Sequence, residues 1–298
     1  MTPSKARCLA ARPAPDYTIG QDWPAYTVDE HARWDRLFAR SWAALQGRAC
    51  EQYAESAARL KLSQSGIPDM AELSERLDDI SGWRVVPVAG LVPDDVFFEH
   101  LANRRFPAGA FIRSETEMDY LEEPDIFHDI FGHVPLLANS AYAEFMQAYG
   151  VGGRRALELG RLDNLARLYW YTIEFGLVRS SRGLRIFGAG IMSSTAETVF
   201  SLDDPSPNRI AFDLERVMRT RYVIDDFQQT YFVIDSLDVL RDACAVDFGP
   251  LYHRLASSPD IEAHRLLAGD AVISRGSLAY FHGKAHAVVE TGFELHGR

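Results

Sequence analysis

Cysteine is scarce in this 298-residue chain, and what there is lies scattered: Cys8, Cys50 and Cys244 have neither Cys-x-x-Cys spacing nor an even count. A disulfide framework and a thiolate metal site are thereby excluded, and the three read as reduced thiols. Long apolar runs are also missing. Nothing approaches the roughly 18 residues of a membrane-spanning helix, and the amino-terminal stretch Met1 to Asp16 lacks the apolar centre of a secretory signal. A cytoplasmic protein is expected. Positive charge is in deficit, with 31 Lys and Arg against 42 Asp and Glu and a net charge of −11. The arginines are dispersed rather than striped, which argues against a nucleic-acid surface and for a small-molecule substrate. No repeat, low-complexity tract or heptad run appears, so a monomer is expected. What remains, 47% hydrophobic and 24% charged residues, is the composition of a globular domain, and the length fits one sizeable domain.

The periodicity is mostly helical. Thr27 and Glu30 form a capping box ahead of Trp34, Leu37, Phe38, Trp42 and Leu45, which recur at helical spacing until Gly47. That aromatic stripe is core. Further helices are expected near 51–62, 70–80, 94–103, 139–149, 163–179, 194–202, 211–221, 235–245 and 258–268, with Ser194 and Glu197 as a second capping box. Strand signals are short: Trp83 to Val88, Leu184 to Phe187 and Tyr222 to Ile224, with nothing that alternates long enough for a large sheet. The first 20 residues and the last dozen are expected to be loosely attached.

Against that background two histidines and a glutamate stand out. His128 and His133 lie in Glu123-Pro124-Asp125-Ile126-Phe127-His128-Asp129-Ile130-Phe131-Gly132-His133-Val134-Pro135, and Glu174 in Tyr169-Trp170-Tyr171-Thr172-Ile173-Glu174-Phe175-Gly176. A carboxylate in so apolar a stretch is costly unless a cation or metal sits beside it. Two imidazoles and one carboxylate hold a non-haem Fe(II) on one face and leave positions open for oxygen and substrate. Residues five apart on an ideal α-helix point about 140° away from each other, so the backbone must bend between the histidines. Gly132 and Pro135 are the residues expected to end the helix there. The His-Glu-x-x-His zinc-protease helix is a different pattern, with its histidines four apart around a glutamate.

The same segments carry a family resemblance. Pro87-Val88-Ala89-Gly90-Leu91, Glu123-Pro124-Asp125-Ile126, Phe131-Gly132-His133-Val134-Pro135, Tyr169-Trp170, Glu174-Phe175-Gly176-Leu177, Gly188-Ala189-Gly190-Ile191-Met192-Ser193-Ser194 and Asp226-Phe227-Gln228 match in order and spacing over about the middle half of the chain. The chain resembles the pterin-dependent aromatic amino acid hydroxylases, most closely their short bacterial branch. The resemblance implies a mainly α, single-domain catalytic fold with a few short β-strands over 1–298, without the regulatory domain and tetramer-forming tail of animal members. It implies a monooxygenase of phenylalanine catabolism: Fe(II) and a tetrahydropterin, tetrahydrobiopterin or a related bacterial pterin, use O2 to hydroxylate L-phenylalanine at its para carbon to L-tyrosine.

Site residues follow from the resemblance, position by position. His128, His133 and Glu174 are the implied iron ligands. Arg113 is the implied partner of the substrate carboxylate, through the two parallel hydrogen bonds of a guanidinium fork. Ser193 is placed beside that carboxylate and the ligand shell, while Ser194 fits the helix cap. Pro124, Trp170 and Phe175 are the implied walls of the substrate ring. Tyr169 is placed near the iron, where its phenol can steer water or oxygen. For the pterin, Phe97 is the implied stacking ring and Gly90, Leu91, Val92 and Asp94 the loop presented to its polar edge. Asp129 either reaches the pterin through water or orients a ligand imidazole. Tyr222 and Glu197 are implied supports of the pocket. Leu121 departs from the family, since animal members have a threonine there that touches the substrate's backbone end. His100, His253, His264, His282 and His286 show no ligand spacing.

Three other readings compete: the same reaction on tryptophan or tyrosine, a zinc hydrolase built on the same ligands, and a helical binding protein whose buried polar groups are structural.

Overall fold

The computed structural model describes residues 1–282 apart from 64, 120 and 122. Helices dominate it, as expected. The capping box forms in both directions, Glu30 N donating to Thr27 Oγ1 at 3.2 Å and Thr27 N to Glu30 Oε2 at 3.0 Å, and starts α2 (Val28–Leu45). Its apolar stripe buries Trp34, Leu37, Phe38 and Leu45, and Gly47 turns the chain away with φ 72°. α3 (Glu51–Arg59), α4 (Met70–Ser81) and α5 (Asp94–Ala102) occupy the expected stretches. α6 (Ser140–Glu158) runs well past its expected end. Gly150 and Gly153 sit within it because a Cβ there would collide with the Leu101–Ala102 backbone and the Phe98 ring, so glycine lets α6 lie directly on α5.

Several expectations are corrected. The amino terminus is not loosely attached: α1 (Pro3–Ala10) buries Ser4 and Cys8, Thr2 Oγ1 donates to Ile112 O at 3.0 Å, and Ser4 N donates to Glu30 Oε1 at 2.7 Å. The 163–179 helix divides into α7 (Leu162–Tyr169), a π-helical turn (Trp170–Glu174) and β3 (Leu177–Ser180). The 211–221 helix shortens to α10 (Leu214–Met218), and 235–245 to α11 (Asp238–Cys244). The helix placed at 258–268 lies earlier, as α12 (Phe248–Ser257), begun by an Asp247 cap and stopped before Pro259. Segment 222–224 is irregular rather than a strand. The last dozen residues and His286 lie outside the described residues.

The sheet was underestimated. β1 (Arg84–Val88) pairs in parallel with β2 (Arg105–Gly109). A second sheet of five strands runs β4 (Gly183–Ile186), β3, β6 (Thr230–Ile234), β5 (Asn208–Ala211), β7 (Val272–Ser274), parallel at its centre and antiparallel at both edges. Every residue of β6 is buried, so it shows no alternation in the sequence. One core continues from the α2 stripe through Phe127, Phe131 and Tyr149 to Tyr231 and Phe232 of this sheet. No helix among the described residues is long and apolar enough to cross a membrane.

Candidate metal centre

Both ligand segments are π-helical, His128–His133 and Trp170–Glu174. Hydrogen bonding from i to i+5 widens the turn, so residues five apart come round toward one side instead of opposing each other. The bend is therefore a widened turn and not the expected helix end at Gly132. Gly132 is needed for another reason: a Cβ there would press on Ala189 O at 3.0 Å, where α8 (Ala189–Met192) crosses. Pro135 opens a 3-10 turn, Val134–Ala138, that carries the chain away.

The three donors converge. His128 Nε2 lies 3.2 Å from His133 Nε2 and 3.7 Å from Glu174 Oε2, and His133 Nε2 lies 3.2 Å from Glu174 Oε1. All the ligand atoms fall within 4.8 Å of one another. The tautomer of His128 follows from its other nitrogen. Ser193 Oγ donates to Ala189 O at 2.9 Å, so its lone pair is what receives His128 Nδ1–H at 2.8 Å. That leaves the Nε2 lone pair aimed into the cluster. Burial pushes the His128 imidazole down to about 4, against the pull of Glu174, so the ring stays neutral. Two imidazoles and a carboxylate suit a divalent metal of borderline softness, and the donor set fits Fe(II). His133 Nδ1 is buried without a hydrogen-bond partner.

Beside this cluster lies one that the sequence reading missed. Asp125 is fully buried and accepts from Arg113 N at 2.8 Å, Arg113 Nε at 2.9 Å, Arg113 Nη2 at 2.8 Å and His128 N at 3.0 Å. Burial alone would raise its carboxyl, but the Arg113 charge and hydrogen bonds outweigh it and hold the pKa below the ordinary value. The Arg113 fork, expected to take a substrate carboxylate, is thus spent on Asp125. The reasoning that singled out Glu174, a carboxylate in an apolar run, applies equally to Asp125 beside Ile126 and Phe127.

The remaining expected residues group as follows. Trp170 stacks on Tyr222 with ring centroids 4.3 Å apart and has Phe175 at 4.8 Å; Trp170 and Phe175 keep part of their surface exposed, as does Pro124. The Tyr169 ring faces His133 at 6.2 Å with an interplanar angle of 29°, and burial raises its phenol well above the usual range. Asp129 does not bond a ligand imidazole: its Oδ2 accepts Gly109 N at 2.7 Å, and burial pushes its carboxyl up to about 7 despite that bond. Gly90, Leu91 and Asp94 are half-buried and Val92 is buried, with Gly90 pressed so closely on the Glu123 carboxylate that a Cβ would collide. Glu123 is in turn paired with Lys5 of α1. Phe97, expected to stack on a cofactor, is completely buried edge-to-face against Tyr169 and Phe98, so no face of it is exposed. Leu121 is half-buried. Ser194 caps α9 (Thr195–Asp203) by accepting Glu197 N at 3.3 Å, but the Glu197 carboxylate does not return the bond. It accepts instead from the Tyr231 hydroxyl and from Gln228 N at 3.4 Å, and burial raises it to about 7.

Known proteins match this arrangement over most of the chain. Residues 3–246 match the model of the biopterin-dependent aromatic amino acid hydroxylases. A phenylalanine-4-hydroxylase of Caulobacter vibrioides is 61% identical over 89% of this chain and 90% of its own, and one of Ralstonia nicotianae is 55% identical over 88% and 84%. Among solved structures, Chromobacterium violaceum phenylalanine hydroxylase bound to cobalt superposes with a TM-score of 0.88 at 48% identity, over 92% of this chain and 99% of that one. The same enzyme with bound oxidized Fe(III) gives 0.87 at 49%, over 92% and 100%.

Proposed function

The chain belongs to the biopterin-dependent aromatic amino acid hydroxylases, and from that premise we propose how its own residues divide the work of a phenylalanine 4-monooxygenase. The reaction converts L-phenylalanine to L-tyrosine; bound Fe(II) and a reduced pterin together supply the electrons and the site at which O2 is reduced, one oxygen atom entering the ring. His128, His133 and Glu174 hold the metal. Ser193 fixes the His128 tautomer so that the lone pair, not the N–H, faces it.

The substrate ring lies against Trp170, Phe175 and Pro124, an apolar slot suited to an uncharged aromatic side chain. Its carboxylate meets the Nη1 end of Arg113, because Nε and Nη2 are taken by Asp125. One strong contact replaces the expected two, and Ser193 joins it by turning its hydroxyl from Ala189 O to the substrate carboxylate. Tyr169, with its phenol kept protonated by burial, steers water or oxygen by hydrogen bonding without giving up its proton. The pterin's polar edge meets the backbone of Gly90, Leu91 and Val92 and the Asp94 side, with Asp129 reaching it through water. Phe97 forms the floor behind that loop rather than an exposed stacking face. The enzyme works as a cytoplasmic monomer, which sedimentation of the native protein tests.

The observation that carries this reading is the convergence of the three donors on one point from two separate π-helical turns. Its test is anaerobic reconstitution with Fe(II), followed by phenylalanine, tetrahydropterin and oxygen. Tyrosine should require all four, and zinc should not replace iron. Faster turnover of tryptophan than phenylalanine would reassign the substrate, and hydrolytic activity restored by zinc would replace the reading altogether.

A further inference from the structure

Trp170 is fixed at its edge as well as on its faces. The indole Nε1 donates to Gln228 Oε1 at 2.9 Å, while Tyr222 stacks on the ring at an interplanar angle of 18°. Gln228 is 1% exposed, and the other end of its amide donates to Val223 O at 2.8 Å and Asp226 O at 3.3 Å. Its backbone N donates to the buried Glu197 carboxylate. The orientation of the amide is set by its partners: an indole N–H can only donate, and backbone carbonyls can only accept. Oxygen and nitrogen therefore each have one place to be.

The two ends of this planar group serve different halves of one stack. The oxygen holds Trp170, and the nitrogen holds the backbone next to Tyr222, the ring that lies on Trp170. A shift in either half pulls on the other. We propose that Gln228 is a positioning residue for the aromatic pocket: by locking the Trp170–Tyr222 stack it sets the tilt of the indole, and with it the breadth of the slot that receives the substrate ring. The proposal rests on phenylalanine being the substrate. Gln228 itself acts through Trp170 and reaches neither substrate nor metal donors in the hydrogen bonds it makes.

The test is a double-mutant cycle of Gln228→Leu with Trp170→Phe, which removes the indole N–H but keeps an aromatic wall. Phenylalanine affinity is read by calorimetry on the metal-loaded protein without pterin; KM, kcat and tyrosine formed per pterin consumed are read in turnover. Gln228→Leu should weaken phenylalanine binding roughly 5- to 20-fold and lower the tyrosine yield per pterin, with a smaller change in kcat for pterin oxidation. In the Trp170→Phe background the same substitution should change affinity less than about 2-fold. Gln228→Met, close in length but without the amide, removes the same contacts to the indole and to Val223 O and takes over the cycle if the leucine variant does not fold. An equal penalty in both backgrounds, or unchanged affinity and yield in Gln228→Leu with a normal melting temperature, overturns the proposal. A wild-type protein that makes no tyrosine under full reconstitution instead sinks the substrate reading beneath it, leaving the melting temperatures of the variants unaffected.

Discussion

Two polar clusters meet at His128, and they are built on opposite terms. In the first, Asp125 receives four hydrogen bonds, three from Arg113 and one from the His128 backbone, which is about what a carboxylate can accept. In the second, two imidazole nitrogens and a carboxylate face one another at 3.2–3.7 Å around one point, with the far nitrogen of His133 unpartnered. The first is complete and braces the backbone. The second is finished only by a cation. Asp125 is buried more completely than His128 or Glu174, so depth of burial does not mark a site; the marker is a set of donors that converge on a point an ion can fill.

Isosteric or truncating substitutions on the two sides should separate brace from site most sharply. Asp125→Ala leaves the Arg113 guanidinium buried and unpaired, at 7% exposure, and should cost about 3–5 kcal/mol in denaturant unfolding of the metal-free protein. Glu174→Gln removes a negative charge without opening a cavity. It should leave metal-free stability within about 1 kcal/mol while lowering iron affinity and turnover by at least about 100-fold. If the glutamine variant were as unstable as the alanine variant, the contrast between the clusters would be lost.

Ser193→Ala tests the link between the clusters at a smaller scale. It removes the acceptor of His128 Nδ1–H, leaving either a buried donor without a partner or the wrong tautomer. Metal affinity should fall roughly 10- to 100-fold. The same loss appears in thermal melts, since metal at 100 times its Kd stabilises the wild type by about 2.7 kcal/mol, and the variant should gain less at the same metal concentration. Equal stabilisation of both proteins would remove Ser193 from the ligand shell.

The sequence disclosed the centre better than its surroundings. Glu174 was legible because a lone carboxylate in an apolar run asks for a partner, and α2 because Thr27, Glu30 and the aromatic stripe agree on one helix. The widened turns were not legible, since a π-helix has no composition signal and the five-residue histidine spacing only says that something must bend. Strand β6 was lost because it is wholly buried and reads as an apolar run, and β5 because its four residues include buried Asn208 and Arg209 and show no alternation. The pairing of Arg113 with Asp125 was not legible, because it becomes visible only once Ile126 N pairs with Phe111 O and brings the two segments together. The five-stranded sheet matters to the site through β6 and the chain just before it, which carry Tyr231 and Gln228 to Glu197 and Trp170.

A second buried histidine gives the smallest test of the same contrast. His100 is 1% exposed; its Nε2 lies 2.8 Å from Asp16 O, a carbonyl that can only accept, so Nε2 carries the proton and the buried Nδ1 is a lone pair without a partner. Burial lowers its pKa from 6.5, as it does for His128, but among the described residues no carboxylate completes a metal site around it. A folded pKa below the unfolded one means that its stability contribution is fully present above about 6.5 and is lost as the pH falls through the folded value. Over pH 7.5 to 5.5 the buried carboxyls of Asp129 and Glu197, raised to about 7, stabilise the fold as they take up protons while His100 destabilises it, so the His100 contribution is read as a difference between two proteins. In metal-loaded protein, where His128 and His133 are held by the ion, His100→Gln, which keeps a donor for Asp16 O but does not titrate, should melt progressively higher relative to wild type as the pH is lowered over that interval. Parallel curves for the two proteins would show that His100 has found a partner for its second nitrogen, and would place it with the completed cluster rather than the open one.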